Sequence, residues 1–182
     1  MVYYFPCGGV DIHESVRVDL RKVNSLIKKY DTRDPFSIAE SLGIEIQWAD
    51  HWKRLKGMYL VIKRTRIIQL NSNLDKNMLR IVCAHEVGHD QLHRHLAKEK
   101  ALQEFMLYDM SSRPEYEANI FAASLLLDEN EMLRMIYEDH YDAQQIACAM
   151  HSDINLVALK AAELKIRGHR LNPIDSRSDF LA

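Results

Sequence analysis

Ala84-His85-Glu86-Val87-Gly88-His89-Asp90 places H-E-x-x-H inside a helical pattern that runs from Met78 to Leu96. This is the spacing of a zinc-dependent hydrolase. At about 100° per residue, His85 and His89 lie roughly 40° apart on one helix face and one turn apart, so both imidazoles reach a single ion. Glu86 lies about 100° round from His85 and flanks the metal without ligating it, placed to take a proton from bound water. Val82, Leu92 and Leu96 fall in the same sector, so the histidines emerge from a buried face. A chance match on an exposed, charged helix would not carry those neighbours. Buried imidazoles beside a buried acid need a compensating partner, and a metal ion supplies one.

A catalytic zinc usually has three protein ligands and an open position for water. His95 stands six residues after His89, as in H-E-x-x-H-x-x-G-x-x-H, but that pattern turns the chain on a glycine where Leu92 stands here. His93 is on the right face one turn further along. Three histidines on a straight helix do not converge on one ion, so His93 reads as an outer partner or a substrate-facing group. The next helical run, Pro114 to Ala123, offers two acids. Glu115 shares its side with Ala118, Asn119, Ala122 and Leu126, and the small residues permit a close helix approach. Glu117 shares its side with Ser124, Asp128 and Glu131, a solvated stripe, and reads as a surface charge. The expected centre is one Zn2+ per chain held by His85, His89 and Glu115. Glu86 is its general base, Asn119 orients a ligand, and Glu117 is the alternative acid.

Working outward, Val16 to Tyr30 has the three- and four-residue spacing of an amphipathic helix. Asp34-Pro35 begins a short helix that Gly43 ends. Ile44 to Trp48, Gly57 to Ile62 and Arg66 to Leu70 are β-rich. Beyond Leu74 the pattern is helical, with Glu115 to Leu127, Asn130 to Tyr137, Ala143 to Met150 and Asn155 to Arg167 following the H-E-x-x-H helix. The expected class is α+β, a small, mostly antiparallel sheet of about three strands packed on a helical core. Residues 1–14 read as a flexible segment, 15–167 as a single domain and 168–182 as a tail.

The chain has 182 residues, 47% hydrophobic and 27% charged, enough to bury a substantial core. Lys plus Arg total 24 against 26 Asp plus Glu, a net charge of -2, which argues against attachment to nucleic acid or anionic membrane by bulk charge. No apolar run approaches the roughly 20 residues of a membrane span, and Met1 to Val10 does not read as a signal peptide. Cys7, Cys83 and Cys148 are widely spaced, which points to a reduced, cytoplasmic protein. Cys83 and Cys148 sit in apolar helical patterns and are expected in the core. Cys7, in Pro6-Cys7-Gly8-Gly9, faintly matches a latent-protease cysteine and reads as incidental. Ala143 to Ile166 has the outline of a helix-turn-helix, yet its second helix offers only Asn155 and Lys160 to DNA and opens with Asp153. A helix pair packed on the core, with no direct nucleic-acid binding, is the expected arrangement.

His85-Glu86-Val87-Gly88-His89, Leu92-His93 and Glu115-Tyr116-Glu117-Ala118-Asn119-Ile120-Phe121-Ala122-Ala123-Ser124-Leu125-Leu126 together resemble the ImmA/IrrE family of metallo-endopeptidases. Asp34-Pro35, Leu42-Gly43-Ile44 and Leu70-Asn71 are similar too, and the likeness covers roughly residues 15 to 165. Where that family often ends its second motif with proline, this chain has Leu127-Asp128. The resemblance implies a zincin-like, gluzincin-type protease with His85, His89 and Glu115 as ligands and Glu86 as base. It also implies the substrate, a transcriptional repressor encoded on a phage or mobile element. The expected mechanism is attack by zinc-bound water, with Glu86 accepting its proton and passing it to the leaving amine. His93, His95, Tyr59 and Tyr108 are candidates for oxyanion stabilisation. The rival reading is a DNA-binding or sensor module with a degenerate peptidase site.

Overall fold

The computed structural model describes residues 20–104, 108 and 112–171. The N-terminal segment 1–14, Cys7, the first residues of the Val16 helix and positions 172–182 of the tail lie outside the described residues. In chain order the elements are α1 (Leu20–Tyr30), α2 (Pro35–Ser41), β1 (Glu45–Ala49), β2 (Gly57–Ile62), β3 (Thr65–Asn71), α3 (Lys76–Leu92) and α4 (Arg94–Ala97). They continue with β4 (Leu102–Glu104), α5 (Arg113–Leu126), α6 (Glu129–Tyr137), α7 (Ala143–Ala149) and α8 (Ile154–Ile166).

Local chemistry sets most of these boundaries. Asp34 accepts a hydrogen bond from the Ser37 N–H, and Pro35 occupies the first turn of α2. Gly43, at φ +70, closes that helix. The Ile44 N–H reaches the Ala39 carbonyl at 2.9 Å and the Gly43 N–H reaches that of Glu40 at 2.8 Å, the Schellman pairing that needs a left-handed residue. Asp75, Ser112, Asp128, Asp142 and Asp153 cap α3, α5, α6, α7 and α8 through their side chains. The Leu127-Asp128 departure is thereby explained: Leu127 is extended and the Asp128 carboxylate begins α6, so α5 ends without a proline.

The fold is α+β, as the sequence indicates, with strand order β1-β3-β2-β4. Two of the three pairings, β2–β3 and β2–β4, are antiparallel, and β1–β3 is parallel. The expected three strands are joined by β4, a three-residue edge strand. The parallel pair arises because the loop after β1 crosses the end of β3 and delivers β2 to its far side. Buried Asn71 holds that crossing, its Nδ2 donating to the carbonyls of Trp52 (3.1 Å) and Leu55 (2.9 Å). The β2–β3 turn is tight, and Lys63 adopts φ +57 to make it.

The sheet lies against α3, burying Tyr59, Ile68 and Leu70 with Ile81, Val82 and Val87. The opposite flank of α3 packs on α5 through small residues. A Cβ added at Gly88 would stand 3.2 Å from Phe121 Cβ and 3.3 Å from Ala118 Cα, so this crossing depends on little side-chain bulk. Helix α8 packs on α5 and α7. Lys160 on α8 is buried, with Nζ 2.9 Å from Glu163 and 3.3 Å from Glu129, and is not available to DNA. Cys83 is in the core, but Cys148 is exposed, because α7 turns Ala143, Ile146 and Ala147 inward and carries residue 148 to the other side. No helix among the described residues is long and apolar enough to cross a membrane.

Candidate metal centre

Helix α3 is buried continuously from Ile81 to Asp90, so both histidines of the H-E-x-x-H stretch are withdrawn from solvent. His85 Nε2 and His89 Nε2 face each other at 3.0 Å. Glu115, in the first turn of α5, approaches the pair from across the helix crossing. Its Oε2 lies 3.2 Å from His85 Nε2 and its Oε1 3.5 Å from His89 Nε2. One donor atom from each of the three side chains falls within 4.8 Å of the others, a group able to hold a metal ion. These separations suit a tetrahedral ion: donors about 2.0–2.1 Å from zinc stand about 3.3–3.4 Å from one another.

Each ring is turned by a partner at its other nitrogen. His85 Nδ1 lies 3.0 Å from Asn119 Oδ1. An amide oxygen only accepts, so Nδ1 donates the proton here and Nε2 is the nitrogen turned toward a metal. His89 Nδ1 lies 3.1 Å from His93 Nδ1, and His93 Nε2 is 2.9 Å from Glu117 Oε2. Glu117 accepts from His93 Nε2–H, which makes His93 Nδ1 the acceptor for His89 Nδ1–H and again frees Nε2 toward the centre. Arg113 completes the chain at 2.6 Å from Glu117 Oε1. Burial holds the His93 pKa down, against the pull of Glu117, and so favours this neutral ring. Glu117 is therefore not a free surface charge. The turn at His93, whose φ of -125 ends α3 before Leu96, brings the ring over it.

Glu86 is fully buried, and neither carboxylate oxygen has a hydrogen-bond partner among the described residues. Burial above all raises its pKa; His85 opposes this, while Glu104 and Glu115 add to it. Strand β2 begins directly over this group. A Cβ at Gly57 would meet Val82 Cγ1 at 2.4 Å and Glu86 Oε1 at 2.5 Å, so only glycine lets the sheet edge pass so close. Gly57→Ala is expected to cost about 1–3 kcal/mol, read as a lower midpoint of urea or thermal unfolding.

The charge balance favours a cation. Burial lowers the basicity of His85, yet Glu104 and Glu115, followed by Glu86, push its pKa up to about 10. His89 is held down to about 4, chiefly by burial. Glu115 is desolvated, but its contacts with His85 and His89 hold its carboxyl far below the usual range. Glu104 and Glu115 both contact His85, with Glu86 buried beside them, a carboxylate-rich setting of the kind that suits a divalent ion. Together with Glu86, which has no hydrogen-bond partner among the described residues, the converging Nε2 atoms of His85 and His89 and the Glu115 carboxylate form a donor set that fits zinc.

The family model for the IrrE N-terminal-like domain, Peptidase M78, matches residues 39–171. The chain belongs to the Peptidase M78 family. It is also 40% identical over 108 residues to "Uncharacterized immunity region protein 2" of Bacillus phage phi105, an alignment spanning 59% of this chain and 66% of that protein. The chain thus covers just under two thirds of that relative's length. The matched region contains the whole H-E-x-x-H helix, the Glu115 helix α5 and the three helices that follow it, so the cluster lies inside the Peptidase M78 domain.

Within this Peptidase M78 domain, His95, Tyr59 and Tyr108, also singled out from the sequence, make no hydrogen bond or ion pair with the cluster's side chains among the described residues, whereas His93 does. His95 is exposed on α4. The Tyr59 hydroxyl donates to Asp90 Oδ1 at 2.7 Å, and Asp90 also binds Arg66 and Arg94, so this phenol is committed to a structural network. Burial above all, with the Asp153 carboxylate adding, holds the Tyr108 phenol up. His93 touches His89. Sequence reading missed Glu104, whose buried Oε2 lies 3.0 Å from His85 Nε2. A three-residue strand carries no periodicity by which to find it.

Proposed function

We propose that this chain is a zinc-dependent endopeptidase that cleaves one specific protein, a transcriptional repressor of the phage or mobile-element type. The observation that carries the reading is Glu86, a buried carboxylate without a partner, standing beside the His85, His89 and Glu115 donor atoms. In this reading those three side chains hold the ion and Glu86 is the general base. A bound Zn2+ supplies Lewis acidity toward water and the scissile carbonyl. Glu86, with its raised proton affinity, accepts the proton of the attacking water at a carboxylate oxygen and delivers it to the departing amide nitrogen. Asn119 and His93 fix the two imidazoles, and the sheet edge at Gly57 closes the space above Glu86 against bulk water.

The repressor substrate is supported by the family and by the phage relative's name as an immunity region protein. A cytoplasmic location is consistent with Cys83 and Cys148 both being free thiols. The deciding experiment co-expresses the chain with the repressor encoded beside it and follows the repressor by immunoblot. Cleavage that depends on Glu86 supports the proposal, and a repressor left intact by the zinc-loaded protein in every growth state contradicts it. His93→Ala is expected to lower zinc affinity about 10- to 100-fold, the usual effect of losing a group that orients a ligand, as measured by competition with a chromogenic chelator.

A further inference from the structure

Resting on the endopeptidase reading above, we propose that a cationic cleft between the β2–β3 turn and α4 binds an acidic segment of the protein substrate. The cleft has a volume of about 570 Å³ and is lined by Val61, Lys63, Arg64, Arg66, Arg94 and Lys98. All but Val61 are cations, and no acid lines it. The chain as a whole carries 24 basic against 26 acidic residues, so this concentration of one sign is local. A cleft walled by one sign of charge focuses its field and gathers ligands of the other sign.

The fold holds these cations together around Asp90, in the last turn of α3. Arg66 Nη1 from β3 lies 3.1 Å from Asp90 Oδ2, and Arg94 Nη2 from α4 lies 2.9 Å from the same oxygen. Arg66 Nη2 also donates to the Leu42 carbonyl, which fixes this guanidinium in place. One buried carboxylate thus serves two guanidinium groups. Lys63, Arg64 and Lys98 are exposed and have no ion-pair partner among the described residues. A ligand bearing several carboxylates supplies the missing counter-charge, and arginine forks match carboxylate geometry. Lys63 sits at φ +57, a backbone region that glycine or asparagine enters at lower cost. Lysine gains nothing for the turn itself, and what it adds there is a charge on the cleft wall.

Placement ties the cleft to the peptidase centre. Asp90 directly follows His89 in the chain. Val61 lies four residues along β2 from Gly57, the residue that crowds Glu86, or roughly 13 Å at about 3.3 Å per residue. An extended substrate with its scissile bond beside Glu86 reaches that distance about four to six residues further along. No aromatic side chain lines the cleft to stack a base, so a peptide suits it better than a single-stranded nucleic acid.

The test uses the full zinc-loaded chain and fluorescein-labelled hexaglutamate, with binding read by fluorescence anisotropy. Arg66 and Arg94 are left alone because they hold Asp90. The cleft variant combines Lys63→Asn, which suits a left-handed turn, with Arg64→Gln and Lys98→Gln. A control removes exposed charges elsewhere, through Lys28→Gln, Lys76→Gln and Lys165→Gln. The control is expected to bind hexaglutamate within about twofold of the parent and the cleft variant at least about tenfold more weakly, the combined effect of several exposed ion pairs. Zinc content and Tm should match in all three proteins, and repressor cleavage by the cleft variant should show a raised KM with kcat unchanged. Equal hexaglutamate binding by the cleft variant and the control overturns the proposal. Hexathymidylate binding the parent more tightly than hexaglutamate also overturns it, in favour of a nucleic-acid site. Repressor cleavage identical in parent and cleft variant removes the cleft from substrate recognition while leaving the peptidase reading intact. A repressor left whole by the parent overturns this inference and the peptidase reading together.

Discussion

Glu86→Gln is expected to keep its zinc and lose about 10²- to 10⁴-fold in repressor cleavage, the usual contribution of a positioned acid–base group. Glutamine fills the same volume, so neither Gly57 nor Val82, which crowd this side chain, has to move. The amide cannot accept and return a proton, so transfer fails while the ligand set is untouched. The change also removes a buried charge without a partner, so stability should hold or rise slightly. Zinc content by elemental analysis and repressor cleavage in the same preparation check both halves. Cleavage at the parental rate would remove Glu86 from the mechanism.

Stripping the metal is expected to have the other large effect. Glu86, Glu104 and Glu115 crowd around His85, and a bound dication would offset their mutual repulsion. Free zinc at about 1,000 times its dissociation constant stabilises a fold by about 4 kcal/mol, which for a chain of this size is a rise in Tm of roughly 8–16 °C. His89→Ala should melt at one temperature with or without zinc. The affinity should rise with pH. Without a cation, His85 holds its proton up to about 10, and that proton must leave Nε2 before a metal can bind. Tm measured with and without chelator across pH 6 to 9 (roughly the range where His85 remains protonated) reads both effects.

The parts of the fold and site that could be read in advance are those set by local geometry. The H-E-x-x-H stretch needs only one helical turn to bring two rings together, and Asp34, Pro35 and Gly43 bound α2 by chemistry confined to a few residues. Glu115 was legible because Ala118 and Ala122 mark the face of α5 that can approach Gly88. Glu117 was misjudged for the same reason. Helical phase separates it from Glu115, but does not reveal that α3 stops at Leu92 and swings His93 across it. No glycine or proline announces that break. The parallel pairing of β1 with β3 depends on Asn71 holding a loop sixteen to nineteen residues earlier, a contact with no sequence period. Glu104 depends on a strand too short to leave a pattern.

In the proposed centre, two imidazoles and one carboxylate from crossing helices surround a zinc ion. Anomalous diffraction from zinc-grown crystals, recorded above and below the zinc edge, tests it most directly. One peak per chain is expected, about 2.0–2.2 Å from His85 Nε2, His89 Nε2 and a Glu115 oxygen. A zinc peak elsewhere, or none beside those three atoms in fully loaded protein, would contradict it.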